Sequence, residues 1–479
     1  MQLGELFDPI PVPGGGPEIV RLDYDHRRVA PGSLFFCVRG FTSDGHAFAP
    51  AAAASGAVAI VVDHRVDGLA LPQVVVEDVR AAMGPAASRF FGDPTREFAV
   101  TGVTGTNGKT TTATLIRSLL EADGRQTGLL GTVTSIIGGT AATVSRTTPE
   151  AVDLQQSFRE MVSAGDRAAA IEVSSHALDL HRVDGVHFTA AVFTNLTQDH
   201  LDFHQTMEAY FQAKRRLFSE HAPEVAIFNL DDPYGVRLAA EFGGITFAID
   251  NPRADVRADH IDSDIHGTRF TLRTPEGEEE LRSPLRGRFN VANVLAALAA
   301  AHSQGVPLSV SRRAIASAGQ VPGRFQTVDA GQPFAVIVDY AHTPDSLHNV
   351  LLTARALTTG RVHVVFGCGG DRDRGKRPLM GEIAVREADH VIITSDNPRS
   401  EDPAEIIAEI VAPIPGRAEV EVDRARAIHS AIASAEAGDI VLIAGKGHEQ
   451  GQEFAGGRKL PFDDLAVARE ALGAVQRHG

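Results

Sequence analysis

The stretch Phe98-Ala99-Val100-Thr101-Gly102-Val103-Thr104-Gly105-Thr106-Asn107-Gly108-Lys109-Thr110-Thr111 decides the fold. Phe98 to Val103 is an apolar run that predicts a buried strand, and Ala113-Thr114-Leu115-Ile116 opens a helical pattern. A glycine-rich turn lies between them. Strand, turn and helix N-terminus together make a phosphate cradle: glycine lets backbone N–H groups approach the phosphates, and the helix dipole favours negative charge. Lys109 is expected to reach the terminal phosphates, and the Thr110 hydroxyl to ligate magnesium. The general spacing would put one more glycine where Val103 stands, so the loop belongs to a particular subfamily.

The surrounding chain has 479 residues, too many for one ordinary core, and predicts two to four domains. A hydrophobic share of 43% and a charged share of 22% describe an ordinary globular protein. The net charge of -16 excludes a basic nucleic-acid footprint, so no nucleic-acid partner is expected. No uninterrupted apolar stretch reaches about 18 residues, so no membrane insertion is expected. Met1-Gln2-Leu3-Gly4-Glu5 lacks the basic start of a signal peptide, and Cys37 and Cys368 do not make a disulfide framework. Both features point to the cytoplasm.

An α/β fold follows from the alternation of strand and helix patterns. Three domains are expected: residues 1–96, 97–329 and 330–479. In the first, Val58–Val62 and Gln73–Val76 read as strands, with the alanine-rich segment from Ala49 as a helix between them. In the second, Ala168–Ile171, Ala190–Phe193 and Val225–Phe228 read as buried strands of a mostly parallel sheet. Val321-Pro322-Gly323-Arg324 reads as a linker. In the third, Ala335–Val338, Val362–Phe366, His390–Ile393 and Asp439–Ile443 read as parallel strands. Each is followed by a polar or glycine-rich loop, and four such loops are expected to converge on one edge.

Glu172 follows four apolar residues, where a carboxylate can face the phosphate loop. Thr194 to His204 is dense in groups that bind metal or phosphate. Zinc is disfavoured, because the cysteines are unpaired and no helical His-Glu-x-x-His occurs; a hard cation, magnesium, fits better. Lys214, in an amphipathic helical stretch, reads by itself as a surface lysine. Asp396-Asn397-Pro398-Arg399 reads as a turn whose arginine can hold a carboxylate bidentately.

In order and spacing these segments resemble the ATP-dependent Mur ligases of peptidoglycan synthesis, in particular their tripeptide synthetases (MurE type). The resemblance rests on Gly105–Thr111, Glu172–His176, Thr194–His204, Gly287–Asn290, Asp339–Leu347, Gly367–Arg377, Asp396–Arg399 and Gly445–Glu449, and covers nearly the whole chain. It implies an N-terminal domain for a UDP-sugar, a central phosphate-loop ATPase and a C-terminal Rossmann-like domain for an incoming amino acid. It implies ligation of that amino acid to UDP-N-acetylmuramoyl-L-alanyl-D-glutamate through an acyl phosphate, with ATP as co-substrate and Mg2+ as cofactor, by a monomer.

The same resemblance assigns residues. Gly105, Thr106, Asn107, Gly108, Lys109, Thr110 and Thr111 hold the ATP phosphates. Asn290, Arg324 and Asp339 contact the nucleotide. Thr110, Glu172 and His200 serve the metals, and Lys214 matches a carbamylated lysine that supplies a further carboxylate. Tyr24, His26, Phe41, Thr42, Ser43, Thr147, Thr148, Ser174 and Arg182 match the UDP-sugar side. There, His26 stands where the family usually has serine, and Leu180 where some members have glutamine. Arg372, Asp396, Asn397, Pro398, Arg399, Gly445 and Glu449 match the amino-acid pocket. Arg399 is the residue that diaminopimelate-adding members carry and lysine-adding members usually lack, so meso-diaminopimelate is the expected amino acid, with Glu449 expected at its distal ammonium.

Overall fold

The computed structural model describes residues 1–7, 12–144 and 146–478. They pack as two compact units. One comprises Met1–Thr104, Gly124–Val192 and Ala213–Ala226; the other comprises Gly105–Asp123, Phe193–Gln212 and the chain from Ile227 onward.

The first unit opens with a four-stranded sheet, Arg21–Asp23, Ser33–Phe36, Ala57–Val62 and Gln73–Val75, in that order and all parallel. Leu3, Leu22, Leu34, Phe36, Val61 and Met83 fill one of its faces. The expected alanine-rich helix forms at Ala49–Ala54 but precedes both of the strands it was expected to separate. Pro50 starts it, and Ser55-Gly56 ends it with Gly56 at φ +103°, a conformation cheap only for glycine. Between the strands, residues 63–72 contain no helix; His64, Arg65, Asp67, Gly68 and Pro72 leave too few apolar residues to bury a helical face.

The same unit holds the strand Ala190–Phe193 up to Val192, and the strands Ala99–Thr104, Ala168–Glu172 and Thr127–Leu130, side by side in that order. The last three run parallel, and an antiparallel ribbon, Ser135–Ile137 with Thr140–Ala142, extends them. Glu172 lies in register with Val103, two residues before the glycine turn. The carboxyl end of this sheet therefore presents Glu172 where the chain leaves for the phosphate loop.

In the second unit the helix Lys109–Ala122 packs against the helix Arg288–Ser303. Strand Val256–Asp264 pairs with Gly267–Thr274, and that with Gly277–Ser283, both antiparallel. The C-terminal sheet has the order Gln326–Val328, Ala335–Asp339, Ile440–Ala444, Val362–Phe366, His390–Ile393, Glu419–Val420. All of its pairs are parallel except the first. Strands Val362–Phe366 and Ile440–Ala444 are buried at every position. The reason is the period of two. Val362, Val364, Phe366, Leu442 and Ala444 enter one core, while Val365, Val441 and Ile443 enter the core on the opposite face. The parallel strands expected from sequence are these.

Candidate functional site

The glycine turn is shaped by neighbours that leave no room for side chains. A Cβ on Gly105, at φ +149°, would lie 1.9 Å from Oγ1 of Thr194. One on Gly108, at φ +87°, would lie 2.3 Å from Oδ1 of Asn293. The segment Thr194–Thr197 clamps the turn from outside. Thr106 N–H donates to Asn195 O at 2.9 Å, Asn107 N–H to Asn195 Oδ1 at 2.8 Å, and Thr194 Oγ1 to Asn107 O at 2.6 Å. Thr106 Oγ1 lies 3.2 Å from the Tyr210 hydroxyl. The Asn107 amide donates to Asp345 at 2.8 Å. Lys109 donates to the carbonyls of Gly105 and Thr106 at 3.0 and 2.8 Å. Thr110 and Thr111 are buried on the first turn of the helix, and Arg324 donates to Thr110 Oγ1 at 3.1 Å while lying over the Tyr340 ring.

A charged cluster stands beside the clamp. His200, at φ +54°, places its Nε2 3.4 Å from Asp199, and His342 Nε2 lies 4.0 Å from the same carboxylate. Burial pushes the Asp199 carboxyl up, but His200, His342, Lys376 and Lys109 outweigh it and hold the pKa at about 2. Asp339 behaves oppositely: burial raises it to about 6 against the pull of Arg324 and of the N–H groups of Phe325 and Ala341. Both Asp339 oxygens accept those backbone bonds, so this carboxylate shapes the turn after its strand. Asn290 is buried and bonded to Arg286 O and Asn293, which places it behind the glycine turn.

In the first unit, Glu172 is 1% exposed, and its carboxylate accepts from N–H and Oγ1 of Thr132 at 2.7 and 2.9 Å. Thr148 Oγ1 donates to Glu172 O and Ser174 Oγ, Arg182 donates to Thr148 O, and Thr147 Oγ1 meets Thr132 Oγ1. A cleft of about 410 Å³ is lined by Tyr24, Arg146, Thr147, Glu150 and Asp153 among others. Arg80, Arg146 and Arg182 all pair with the buried Glu150. The lining itself carries one guanidinium, Arg146, and two carboxylates, Glu150 and Asp153, which are paired further by Arg80 and Arg182 and by Arg28. Tyr24 donates to Asp153. His26 stacks on Phe48, ring centroids 4.3 Å apart and planes nearly parallel, while Phe41, Thr42 and Ser43 form an exposed loop. Leu180 caps the short helix Ser175–Asp179.

Lys214 is 1% exposed, on the helix Met207–Ser219, so the surface reading drawn from its local sequence is wrong. Tyr210, Phe211, Leu217 and Phe218 are buried on the same helix, and Lys214 stands three or four residues from each of them. That spacing was the available signal.

The four C-terminal loops do converge. Gly445 N–H donates to Asp339 O, and a Cβ on Gly445 would lie 2.6 Å from Asp396 Oδ2. Asn397 donates to Glu449 at 2.8 Å. Lys446, which sequence reasoning passed over, is fully buried between Asn397, Glu449 and Asp396, at 2.9, 3.0 and 3.7 Å. Burial pushes Glu449 up, but Lys446 and Asn397 leave its pKa lowered. Pro398 is buried, and Arg399 follows at φ +52° with Nη1 donating to Gly370 O and Nε to Glu453. Arg372 is exposed, 3.9 Å from Asp202.

Comparison with known proteins gives three family matches. Residues 18–91 match the Mur ligase family catalytic domain, 103–301 the Mur ligase middle domain, and 323–447 the Mur ligase glutamate ligase domain. The chain is 49% identical to UDP-N-acetylmuramoyl-L-alanyl-D-glutamate--2,6-diaminopimelate ligase of Geobacillus kaustophilus over 96% of each chain. It is 47% identical to the protein of that name from Solibacter usitatus, over 100% of this chain and 99% of the relative. A solved structure of a ligase with the same name aligns at a TM-score of 0.70 with 37% identity, covering 96% of each chain. MurF ligase from Thermotoga maritima, solved with ADP, shares the fold at a TM-score of 0.66 and 18% identity, covering 96% of this chain and 98% of that one.

Proposed function

Because the chain belongs to the Mur ligase family, we propose that it joins meso-2,6-diaminopimelate to a carboxylate of UDP-N-acetylmuramoyl-L-alanyl-D-glutamate, with ATP converted to ADP and phosphate. The observation that carries the reading is the phosphate loop: two glycines that admit no Cβ, one lysine on the loop and a hydroxyl at the first helical turn. Near-full-length identity to diaminopimelate ligases supports the substrate pair.

A carboxylate oxygen is a poor leaving group, so the terminal phosphoryl of ATP is transferred to it first. The amine then attacks the acyl carbon, and phosphate leaves. Lys109 and the backbone N–H groups from Gly108 to Thr111 would hold the phosphates as charge redistributes, while the N–H groups of Thr106 and Asn107 stay on Asn195 and fix the turn. Thr110, Glu172 and His200 offer mostly hard oxygen donors, a set that suits Mg2+. When bound, Mg2+ would neutralise phosphate charge. Lys214 would carry a carbamate; its burial suits this, because carbon dioxide adds to a neutral amine and burial favours the neutral form. Tyr24, His26, Phe41, Thr42, Ser43, Thr147, Thr148, Ser174 and Arg182 would receive the UDP-sugar. Arg372, Asp396, Asn397, Pro398, Arg399, Gly445 and Glu449 would receive the amino acid. Domain limits at 96/97 and 329/330, monomeric action and a cytoplasmic setting complete the proposal.

The deciding experiment is ligation with a panel of amino acids, read by mass spectrometry. The expected product carries diaminopimelate and requires ATP and Mg2+. Preference for L-lysine would overturn the substrate, and no product with any amino acid would overturn the ligase reading.

A further inference from the structure

His46, Asp63 and His64 bring two imidazoles and a carboxylate together in the first unit, and the ligase reading uses none of them. One ligand atom from each lies within 4.8 Å of the others. His46 sits on the short turn Gly45–Phe48, and Asp63 and His64 directly follow the strand Ala57–Val62. His46 is 7% exposed, Asp63 is half-buried and His64 is exposed.

Both nitrogens of His46 are assigned by their neighbours. Nδ1 lies 2.6 Å from Oδ1 of Asp44, so Nδ1 carries a hydrogen and donates it. Nε2 faces the Asp63 N–H at 3.4 Å, and a ring nitrogen accepting from N–H presents a lone pair. The same Nε2 stands 3.3 Å from Oδ1 of Asp63. A lone pair and a carboxylate oxygen at that distance repel unless a cation screens them; here Arg39, which donates to the same Asp63 oxygen at 3.2 Å, supplies that charge, and a metal ion would take its place. Nδ1 of His64 approaches the same Asp63 oxygen, and the two imidazoles stack with centroids 4.3 Å apart. A carboxylate behind the far nitrogen of a histidine is the arrangement that fixes the tautomer of a metal ligand and raises its basicity.

We propose that His46 Nε2, Asp63 and His64 Nδ1 form a binding site for one borderline divalent transition-metal ion of the zinc type, with Asp44 orienting His46. Bound tetrahedrally at about 2.0–2.2 Å from each ligand, such an ion would separate its donors by roughly 3.3–3.5 Å. The His46–Asp63 separation of 3.3 Å meets this, whereas His64 Nδ1 is hydrogen-bonded to the Asp63 oxygen more closely than two donors to one ion can stand, so the exposed His64 ring has to give up that hydrogen and draw back for the ion to bind. Two imidazoles and one carboxylate suit zinc better than magnesium, which prefers all-oxygen sets. Arg39 lies 2.8 Å from Asp63 and 3.9 Å from Asp44, and meets His64 Nδ1 at 3.4 Å. Its guanidinium has to swing away for the ion to enter, and its side chain is exposed enough to do so.

The ion would act as a clamp. The turn that carries His46 also carries Phe48, which stacks on His26. The bridge between Arg39 and Asp44 closes the loop holding Phe41, Thr42 and Ser43. Metal at His46 would tie this segment to the end of strand Ala57–Val62. The clamp's bearing on the UDP-sugar rests on the proposed function; the metal site itself does not.

The test is a Co2+ titration of chelator-treated full-length protein in millimolar Mg2+, followed by visible absorption, with Zn2+ as competitor. One Co2+ per chain with intense tetrahedral bands, displaced by Zn2+, is expected. Asp44→Ala should weaken binding about 10–100-fold, the usual effect of losing an outer partner of a ligand. His64→Ala should abolish the bands, and because His64 is exposed its melting temperature without metal should match wild type. Absence of tetrahedral bands in wild type, or unchanged bands in His64→Ala, would overturn the proposal. So would an imidazole signal showing His46 doubly protonated near neutral pH with no metal bound, since a proton would then fill the gap.

Discussion

Lys109 turns its ammonium onto two carbonyls of its own loop, so the cation is held at the turn by the backbone it serves. Removing one fixed group that stabilises developing charge costs about 10²–10³ in rate. Lys109→Ala should therefore lose at least that much ligation while its circular dichroism and melting stay near wild type; near-normal turnover would remove the phosphate assignment. Arg399 carries the choice of amino acid in this reading. Charged hydrogen bonds contribute about 1.5–3 kcal/mol each, and about 1.4 kcal/mol is tenfold. Arg399→Ala should lower kcat/KM for diaminopimelate roughly 10²–10⁴-fold and change L-lysine efficiency little; equal losses on both amino acids would refute the specificity argument. At this scale the sequence was legible where chemistry is local. Gly105 to Thr111 announces itself, whereas the turn from Asp396 to Arg399 took its meaning from the family resemblance. Read alone, Lys214 passed for a surface residue because charge was weighed above helical spacing; only the family resemblance pointed to a site role. Lys446 gave little local signal: Glu449 stands three residues on, but Asn397 and Asp396, which complete its burial, lie about 50 residues away in sequence.

Arg424 and Asp464 join two helices, Arg424–Ala433 and Asp464–His478, through paired bonds of 2.8 Å, both side chains being fully buried. Arg424 also donates to Ala444 O, one residue before the Gly445 loop. Breaking one side of such a pair strands a buried charge and costs about 3–5 kcal/mol, whereas replacing both by apolar residues is often close to neutral. Arg424→Met alone should lower stability in denaturant by that amount, and adding Asp464→Leu should recover most of it. A double variant as unstable as the single one would show that the pair is not the cause. Elements as such were readable, because strands such as Val362–Phe366 and Ile440–Ala444 are continuous apolar runs that only a sheet covered on both faces produces. The helix from Ala49 was placed on the wrong side of a strand, since alanine content predicts a helix but not its neighbours. The Arg424–Asp464 pair was invisible, because contact between residues 40 apart leaves no periodic trace.

Across the whole molecule, acid sensitivity follows from carboxylates held below their ordinary range. The hydrogen bond to Arg377 leads in taking Glu401 from 4.5 to about 2. At Asp439 burial pushes upward, but bonds from the Glu436 and Arg361 N–H groups and from His363 bring it to about 2. Asp199 stands at about 2 as well. A depressed folded pKa adds stability that is present above the unfolded value and lost as pH falls towards the folded one. Stability should thus decline from about pH 4.5 to pH 2. Asp339 works in the opposite sense: raised to about 6, its contribution fades as pH rises from about 4 through 6. Melting temperatures across this range should fall less steeply with acid in Glu401→Gln than in wild type, and identical slopes would discount the Arg377 contact.

Arg399 has a conformation that its own side chain does not favour. A φ of +52° costs an ordinary residue about 1 kcal/mol more than it costs glycine, and more than it costs asparagine. Its bonds to Gly370 O and Glu453 offset part of that cost, so selection for stability alone favours arginine here less than at a position of ordinary conformation. If Arg399 holds the distal carboxylate as proposed, a lineage whose cell wall stopped demanding it would lose little stability by losing the residue, and would have difficulty regaining it. The backbone makes loss of this specificity easier than its acquisition, a ratchet that laboratory evolution on alternating amino acids would expose.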